Sequence, residues 1–210
     1  MGTIDLSKAI GLSGKIGPVI AYVTKDGKQA FRSYTKPNNP QTPKQIAQRA
    51  KFALANKALS PLNKIIKRGH AGDKNAYRTL VGKAYHEAVK GEYPNYSFDY
   101  SNVRIASGKL PLPARIGLQL DPLTRTAVLD WEPQAAGASP AGSDDDSVRI
   151  VCFNTDRPQE VELRNGGTRS AGRAQVELPE GWKPGSTHFW VYLTSHDLKY
   201  SSDSVYLPHG

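Results

Sequence analysis

Short segments of alternating apolar and polar residues, separated by turn-forming residues, fill the second half of the chain. An alternation with a period of two is typical of a β-strand that buries one face. The pattern occurs at 116–120, 127–131 and 148–152, and further short strands are predicted for 160–163, 174–178, 188–194 and 204–207. Seven short strands with turns between them predict a β-sandwich over residues 113–210.

Three further landmarks lie within residues 115–208. An early strand ends at Trp131-Glu132-Pro133, a Pro/Gly-rich turn covers residues 178–186, and an aromatic strand follows at Phe189-Trp190-Val191-Tyr192. With these landmarks the region resembles a fibronectin type III or related immunoglobulin-like domain. The resemblance implies a non-catalytic module that binds partners or acts as a spacer, and it carries over no functional residues. The Ala/Gly/Ser-rich residues 134–146 depart from the usual compact form, and we expect a flexible loop there.

The composition changes at residues 107–113, and we place a domain boundary there. The chain is then predicted to be an α+β protein of two domains. Residues 1–112 hold a β-hairpin and helices, and residues 113–210 hold the immunoglobulin-like β-sandwich.

The hairpin is predicted for residues 17–34, around Asp26-Gly27. This dipeptide favours the positive φ angles of a type I′ turn. A two-residue loop at this point pairs Tyr22 with Phe31 and Val23 with Ala30.

A helical region is predicted for residues 43–68. Thr42 suits the N-cap, Pro43 the first helical position, and Gln45 completes a capping box. Pro61 either kinks this helix or starts a second one that ends at Gly69. The apolar face of the first helix is assigned to Ile46, Ala50, Ala53 and Leu54.

A further helix is predicted for residues 74–90, with Gly91 as its stop, and a strand for residues 96–106.

Three segments spread along the chain carry a second resemblance. They are Ser13-Gly14-Lys15-Ile16-Gly17-Pro18, Gln48-Arg49-Ala50-Lys51-Phe52 and Ser202-Asp203-Ser204-Val205-Tyr206-Leu207. In these segments the whole chain is similar to a family of small Bacteroidetes proteins of unknown function. This resemblance implies an architecture and no activity.

Positive charge is concentrated in the first half of the chain. Residues 1–112 carry 19 of the 28 Lys and Arg residues and 6 of the 19 Asp and Glu residues, a net charge of +13. Residues 113–210 have a net charge of −4. This segregation predicts that the first half binds an anionic partner, with nucleic acid or another polyanion as the leading candidate.

The predicted polyanion-binding residues lie on the hairpin, the connector and the helices. They are Lys15, Lys25, Lys28, Arg32, Lys36, Lys44, Arg49, Lys51, Lys64, Lys67 and Arg68. Tyr22, Phe31 and Tyr34 would stack on bases if they face outward. The alternative is a solvated helix exterior with the hairpin aromatics in the core.

No catalytic, cofactor or metal site is predicted. Gly14-Lys15 resembles the end of a phosphate-binding loop, but Ala9 and Ile16 occupy the positions that need a glycine and a hydroxyl, so we expect a flexible entry loop. The five histidines form no metal-binding pair, and no serine lies in a nucleophile elbow. Cys152 is predicted to lie in the core.

The acidic run Asp144-Asp145-Asp146 lacks the ligand spacing of a calcium loop. We expect it to be a solvated tip, and the alternative is a contact with the basic half of a neighbouring copy.

These observations predict a non-enzymatic interaction protein. Its basic N-terminal region binds an anionic partner, foremost nucleic acid, and its β-sandwich mediates protein contacts or self-association. The alternative is a structural subunit of a phage-like or injection-particle assembly. Residues 1–11 lack a signal-peptide core and no run of about 18 apolar residues occurs, so we expect no membrane partner. We expect a cytoplasmic location unless a dedicated machine exports the chain.

Overall fold

The computed structural model describes residues 12–36, 38–39, 41–70, 72–133 and 143–208. The chain divides into two units, residues 1–42 and residues 43–210. The part of the predicted entry loop before Leu12 and the predicted loop residues 134–142 lie outside the described part. Among the described residues, no helix is both long enough and apolar enough to span a bilayer.

The first unit contains an antiparallel sheet of three strands in the order β1-β2-β3. The strands are β1 (Gly14–Ile16), β2 (Val19–Val23) and β3 (Gln29–Ser33). Strand β1, where we expected a flexible entry loop, pairs with β2 through Ile16 opposite Val19. Only Ala21 is fully buried among the described residues of these strands.

The β2–β3 register differs from the predicted one by one residue. Tyr22 pairs with Ala30, and Phe31 pairs with Ala21. The loop has three residues, 25–27, instead of two. The Thr24 amide donates to the Lys28 carbonyl at 2.8 Å, so the last pair before the loop is Thr24 with Lys28 and not Lys25 with Lys28. Gly27 takes the left-handed conformation with φ 76°, as the third residue of such a loop does. The predicted type I′ turn is therefore wrong.

The second unit begins with helices. Helix α1 spans Pro43–Leu59, a 3₁₀ turn covers Ser60–Leu62, α2 spans Asn63–Gly69 and α3 spans Ala76–Glu87. Pro61 thus starts a new helical segment, the second of the two predicted options, because its ring cannot continue α1. The predicted core face of α1 is wrong for Ile46 and Ala53, which are exposed, whereas Leu54 packs against the core as predicted and Ala50 is half-buried. The side chains that α1 buries fully are Ala55, Ala58 and Leu59.

Helix α3 ends three residues earlier than predicted. Strand β4 (Val89–Glu92) follows and pairs with β5 (Asn95–Phe98). Gly91, the predicted helix stop, belongs to this hairpin with φ 85°. The predicted strand over residues 96–106 stops at Phe98, because the Asp99 carboxylate accepts from the Ser101 amide at 3.0 Å and starts a 3₁₀ turn.

Seven antiparallel strands complete the second unit and form a sandwich of two sheets. The sheets have the orders β10-β7-β6 and β12-β11-β8-β9. The predicted α+β class and the predicted β-sandwich are confirmed. The strands are β6 (Ala114–Asp121), β7 (Thr126–Glu132), β8 (Ser147–Asn154), β9 (Val161–Thr168), β10 (Arg173–Glu177), β11 (Thr187–Thr194) and β12 (Val205–Leu207).

The four-stranded sheet buries both of its faces. Cys152 and Phe189, a cross-strand pair of β8 and β11, face the other sheet. Their neighbours Val151 and Trp190 face the helices and pack in one core with α1, α2 and α3. The Trp190 indole donates to the Val103 carbonyl at 2.9 Å inside that core. The boundary that we placed at residues 107–113 therefore runs through a shared core, and the helices form a third layer on the sandwich.

A buried ion pair fixes the start of β8. The Asp146 carboxylate lies 3.2 Å from the Arg169 guanidinium, and both side chains are almost fully buried. Arg169 also donates to the Pro111 carbonyl, and the Trp131 indole donates to the Arg169 carbonyl at 2.8 Å. The predicted solvated acidic tip is thus wrong for Asp146, whose charge is paired inside the fold. Asp144 and Asp145 are exposed as predicted.

Candidate nucleic-acid interface

One face of the N-terminal sheet carries cations and aromatic rings together. Lys15, Ile20 and Arg32 lie opposite one another on β1, β2 and β3. Directly paired residues of an antiparallel sheet share a face, and residues two apart on one strand do as well. Tyr22 therefore lies on the same face as Lys15 and Arg32.

Tyr34 joins this group just after β3. The Lys15 ammonium lies 3.7 Å from the centre of the Tyr34 ring, a cation–π contact. The Tyr34 amide donates to the Pro18 carbonyl at 2.7 Å and holds the residue beside the sheet. Tyr22 is 41% exposed and Tyr34 is 40% exposed, so both rings are open to solvent. We call Lys15, Tyr22, Arg32 and Tyr34 the basic face.

The opposite face of the sheet is mainly apolar. Phe31 is half-buried there, paired with the buried Ala21, and Ile16 and Val23 lie on the same side. Phe31 was predicted to stack on bases together with Tyr22. The observed register separates them, because a shift of one residue moves a side chain to the other face.

The other predicted cations are spread over both units. Lys25 lies in the β2–β3 loop, Lys28 at its end and Lys36 beyond β3, all of them exposed. Lys64, Lys67 and Arg68 are exposed on α2 and share one side of it, because residues three and four apart are neighbours on a helix. The remaining three lie on α1 and are Lys44, Arg49 and Lys51.

The stretch that holds most of these cations has no acidic residue at all. Residues 27–72 contain ten Lys and Arg residues and no Asp or Glu. In the sandwich, by contrast, carboxylates lie beside the cations, as in the pairs Arg115–Glu132 and Arg164–Glu162. The first part of the chain therefore presents positive charge without neighbouring carboxylates in its sequence, which suits a partner that carries phosphates.

One aromatic residue on α1 escaped the sequence analysis. Phe52 is 53% exposed, and with Arg49 and Tyr85 it lines a cleft between α1 and α3. Its position three residues before Ala55 and seven before Leu59 puts it on the stripe that α1 buries further along. That spacing is typical of a core residue, so the sequence alone points away from exposure.

Groups with catalytic potential do not converge among the described residues. No set of three or more His, Cys, Asp and Glu side chains in this part of the chain is arranged to hold a metal ion. Burial raises the pKa of the Cys152 thiol to about 12, so the thiol is protonated at neutral pH. The His188 ring Nδ1 lies 2.9 Å from the Tyr206 hydroxyl inside an aromatic cluster.

Comparison with known proteins gives a family and a weak structural likeness. The model of a family described as "Family of unknown function (DUF6266)" matches residues 11–208. The solution structure of the fn3 domain of human contactin 1 is similar at 10% identity, covers 50% of this chain and 85% of that chain, and has a TM-score of 0.29. No curated protein matches the sequence.

Proposed function

The chain belongs to this family of unknown function (DUF6266), and we propose that it is a non-enzymatic nucleic-acid-binding protein whose basic face makes the contact. The observation that carries this proposal is the joint position of Lys15, Arg32, Tyr22 and Tyr34 on one side of a small sheet. The Bacteroidetes origin and the cytoplasmic location stay predictions.

The chemistry of the basic face matches the phosphate and the base of a nucleotide. Arg32 and Lys15 supply positive charge for phosphates, and the release of counterions from the strand makes such contacts favourable at low salt. Tyr22 and Tyr34 offer exposed rings, and stacking of a base on an aromatic ring contributes roughly 1–3 kcal/mol. Because the rings accept any base, we propose binding with little sequence preference.

The sandwich and its helical layer have a different role in this proposal. Seven strands in two sheets form a large body whose cations are largely beside carboxylates. Such a body suits protein contacts or self-association more than phosphate binding.

A second candidate function is a structural subunit of a phage-like or injection-particle assembly. The observation in its favour is the apolar face of the same sheet, where Ile16 is 45% exposed and Val23 is 47% exposed. Apolar side chains grouped on one exposed side of a sheet form a surface that a neighbouring subunit of an assembly would cover.

The proposal is tested by titrating full-length protein into a labelled single-stranded DNA of mixed sequence, about 12 nucleotides long, at several salt concentrations. We expect Arg32→Ala to make the slope of log K against log salt shallower by about 0.7, the value for one lost phosphate contact on a single strand. Tyr22→Ala should weaken binding about 10-fold and leave the slope unchanged, since stacking involves no counterions.

Lys183→Ala is the matched control, because the Lys183 side chain is 79% exposed on the sandwich and is expected to contribute nothing. Equal slopes for wild type, Arg32→Ala and Lys183→Ala would show that the basic face does not bind the strand. Salt-sensitive self-association without DNA binding would favour the assembly subunit instead.

A further inference from the structure

The exposed part of α1 continues the stripe that the helix buries at its other end. Ala55 and Leu59 are fully buried, and one and two turns earlier the same stripe reaches Phe52 and Gln48. Tyr85 of α3 lies across from them, half-buried. The two helices thus leave a cleft of about 480 Å³ where the core of the unit ends.

The residues that line this cleft are unusual for an unfilled gap between helices. At positions where a core would need apolar side chains, α1 has Gln45 and Gln48, and Arg49 lies beside them. A glutamine amide carries both donors and an acceptor, the combination that reads the edge of a nucleobase. Phe52 supplies an open aromatic ring within the same cleft.

Charge around the cleft has a single sign on α1. The helix carries Lys44, Arg49, Lys51 and Lys57 and no acidic residue. The Lys51 ammonium lies 4.7 Å from the centre of the Tyr85 ring and so stands at the wall of the cleft. A nucleotide offers groups that match this lining: a phosphate for the cations, a polar base edge for the amides and a stacking surface for the Phe52 ring.

We propose that the cleft between α1 and α3 is a second nucleic-acid site, which takes an unstacked base of a single strand against Phe52. Arg49 and Lys51 neutralise the adjoining phosphates, and Gln48 contacts the base edge. A duplex cannot supply an unstacked base without losing base pairing, so this site selects single strands. The site lies in the second unit, and its residues are distinct from the basic face.

The test uses the full-length chain and the single-stranded DNA described above, with three substitutions at one exposed position. Phe52→Ala should weaken binding roughly 5- to 150-fold with an unchanged salt slope, the range that stacking of one base gives. Phe52→Tyr keeps the ring and should bind like the wild type. Phe52→Leu keeps the apolar volume and removes the ring, so it should bind as poorly as Phe52→Ala.

A direct readout separates this site from the basic face. DNA with a photoreactive 5-iodouracil base should cross-link to the tryptic peptide 52–57, which contains Phe52, in addition to the peptide 16–25, which contains Tyr22. A cross-link to 16–25 alone, together with unchanged binding by Phe52→Ala, would overturn the second site and leave the basic face standing. The reverse pattern would refute the basic face and support the cleft.

Two other outcomes also count against the cleft. If Phe52→Leu binds DNA like the wild type, the position makes an apolar contact and no base stacks there. If Phe52→Ala leaves DNA binding intact and changes the mass of the protein in solution, the cleft is a protein interface. Phe52 is more than half exposed, so we expect its variants to fold like the wild type. Thermal melts of the variants check this.

Discussion

Replacing Asp146 by Asn removes the charge that neutralises a guanidinium inside the fold. The Arg169 side chain is 2% exposed and the Asp146 side chain is 3% exposed, so water cannot take over the role of the lost carboxylate. Removing one partner of a buried pair costs about 3–5 kcal/mol, because an uncompensated charge stays buried. For a chain of this size each kcal/mol lowers Tm by about 2–4 °C, so we expect a decrease of roughly 6–20 °C.

The matched control is Glu132→Gln at the surface. The Arg115–Glu132 distance of 2.8 Å is shorter than the Asp146–Arg169 distance of 3.2 Å, but its side chains are 81% and 52% exposed. Exposed pairs contribute about 0.2–1 kcal/mol, so Glu132→Gln should change stability little. Both variants are measured by urea unfolding followed by tryptophan fluorescence. The reasoning is refuted if Asp146→Asn costs no more than Glu132→Gln.

Two further predictions concern packing and ionisation. Gly69→Ala should lower the free energy of unfolding by about 1–3 kcal/mol, because the new Cβ would lie 2.6 Å from the Ala106 Cβ. On α3, the Cβ that Gly82→Ala adds meets nothing within 4 Å, so this variant should raise the free energy of unfolding by roughly 0.5–1 kcal/mol. The same urea assay measures both. Burial raises the pKa of Tyr100 to about 12 and the pKa of Cys152 to about 12. The stability that these two groups contribute is therefore fully present below the pKa values that they have in the unfolded chain. It is lost as the pH rises from those values towards 12. Unfolding at pH 8 and pH 11 checks this, and a Tyr100→Phe variant with an unreduced pH dependence would contradict it.

Local signals in the sequence predicted most of the secondary structure. Pro43 and Pro61 mark the starts of helical segments because a proline is tolerated only in the first turn of a helix. The alternation of apolar and polar residues, as at 116–120, predicted strands of the sandwich because successive side chains of a strand point to opposite faces. Each of these signals acts within a few residues of its own position.

The hairpin shows where a local signal is ambiguous. Asp26-Gly27 fits a two-residue loop, and Lys25-Asp26-Gly27 fits a three-residue loop that ends in a left-handed glycine. The sequence does not separate the two, yet the choice decides whether Phe31 shares a face with Tyr22. The sequence therefore predicted the cations and tyrosines of the basic face but not which side chains share that face.

The shared core of helices and sandwich was missed for a different reason. Residues 150–153 and 189–193 are uninterrupted apolar runs, the pattern of strands that bury both faces. The predicted sandwich had no layer outside its two sheets. Alternate residues of these runs, Val151 and Trp190 among them, face away from the other sheet and need a covering layer, which the helices supply.

That covering layer has a consequence for how the chain is made. The bond from the Trp190 indole to the Val103 carbonyl joins residues 87 positions apart, and the bond that the Ala106 amide donates to the Ser204 hydroxyl oxygen spans 98 positions. At about 5–20 residues per second, a ribosome needs roughly 4–17 s to synthesise the chain between Val103 and Trp190. During that interval α1, α2 and α3 exist without the sheet they pack on, with apolar surface exposed. The helices are thus synthesised before the rest of this core, but they can complete their packing only after the strand that contains Trp190 has been made. Exposed apolar surface of this kind is what chaperones bind, so we expect the nascent helices to bind chaperones.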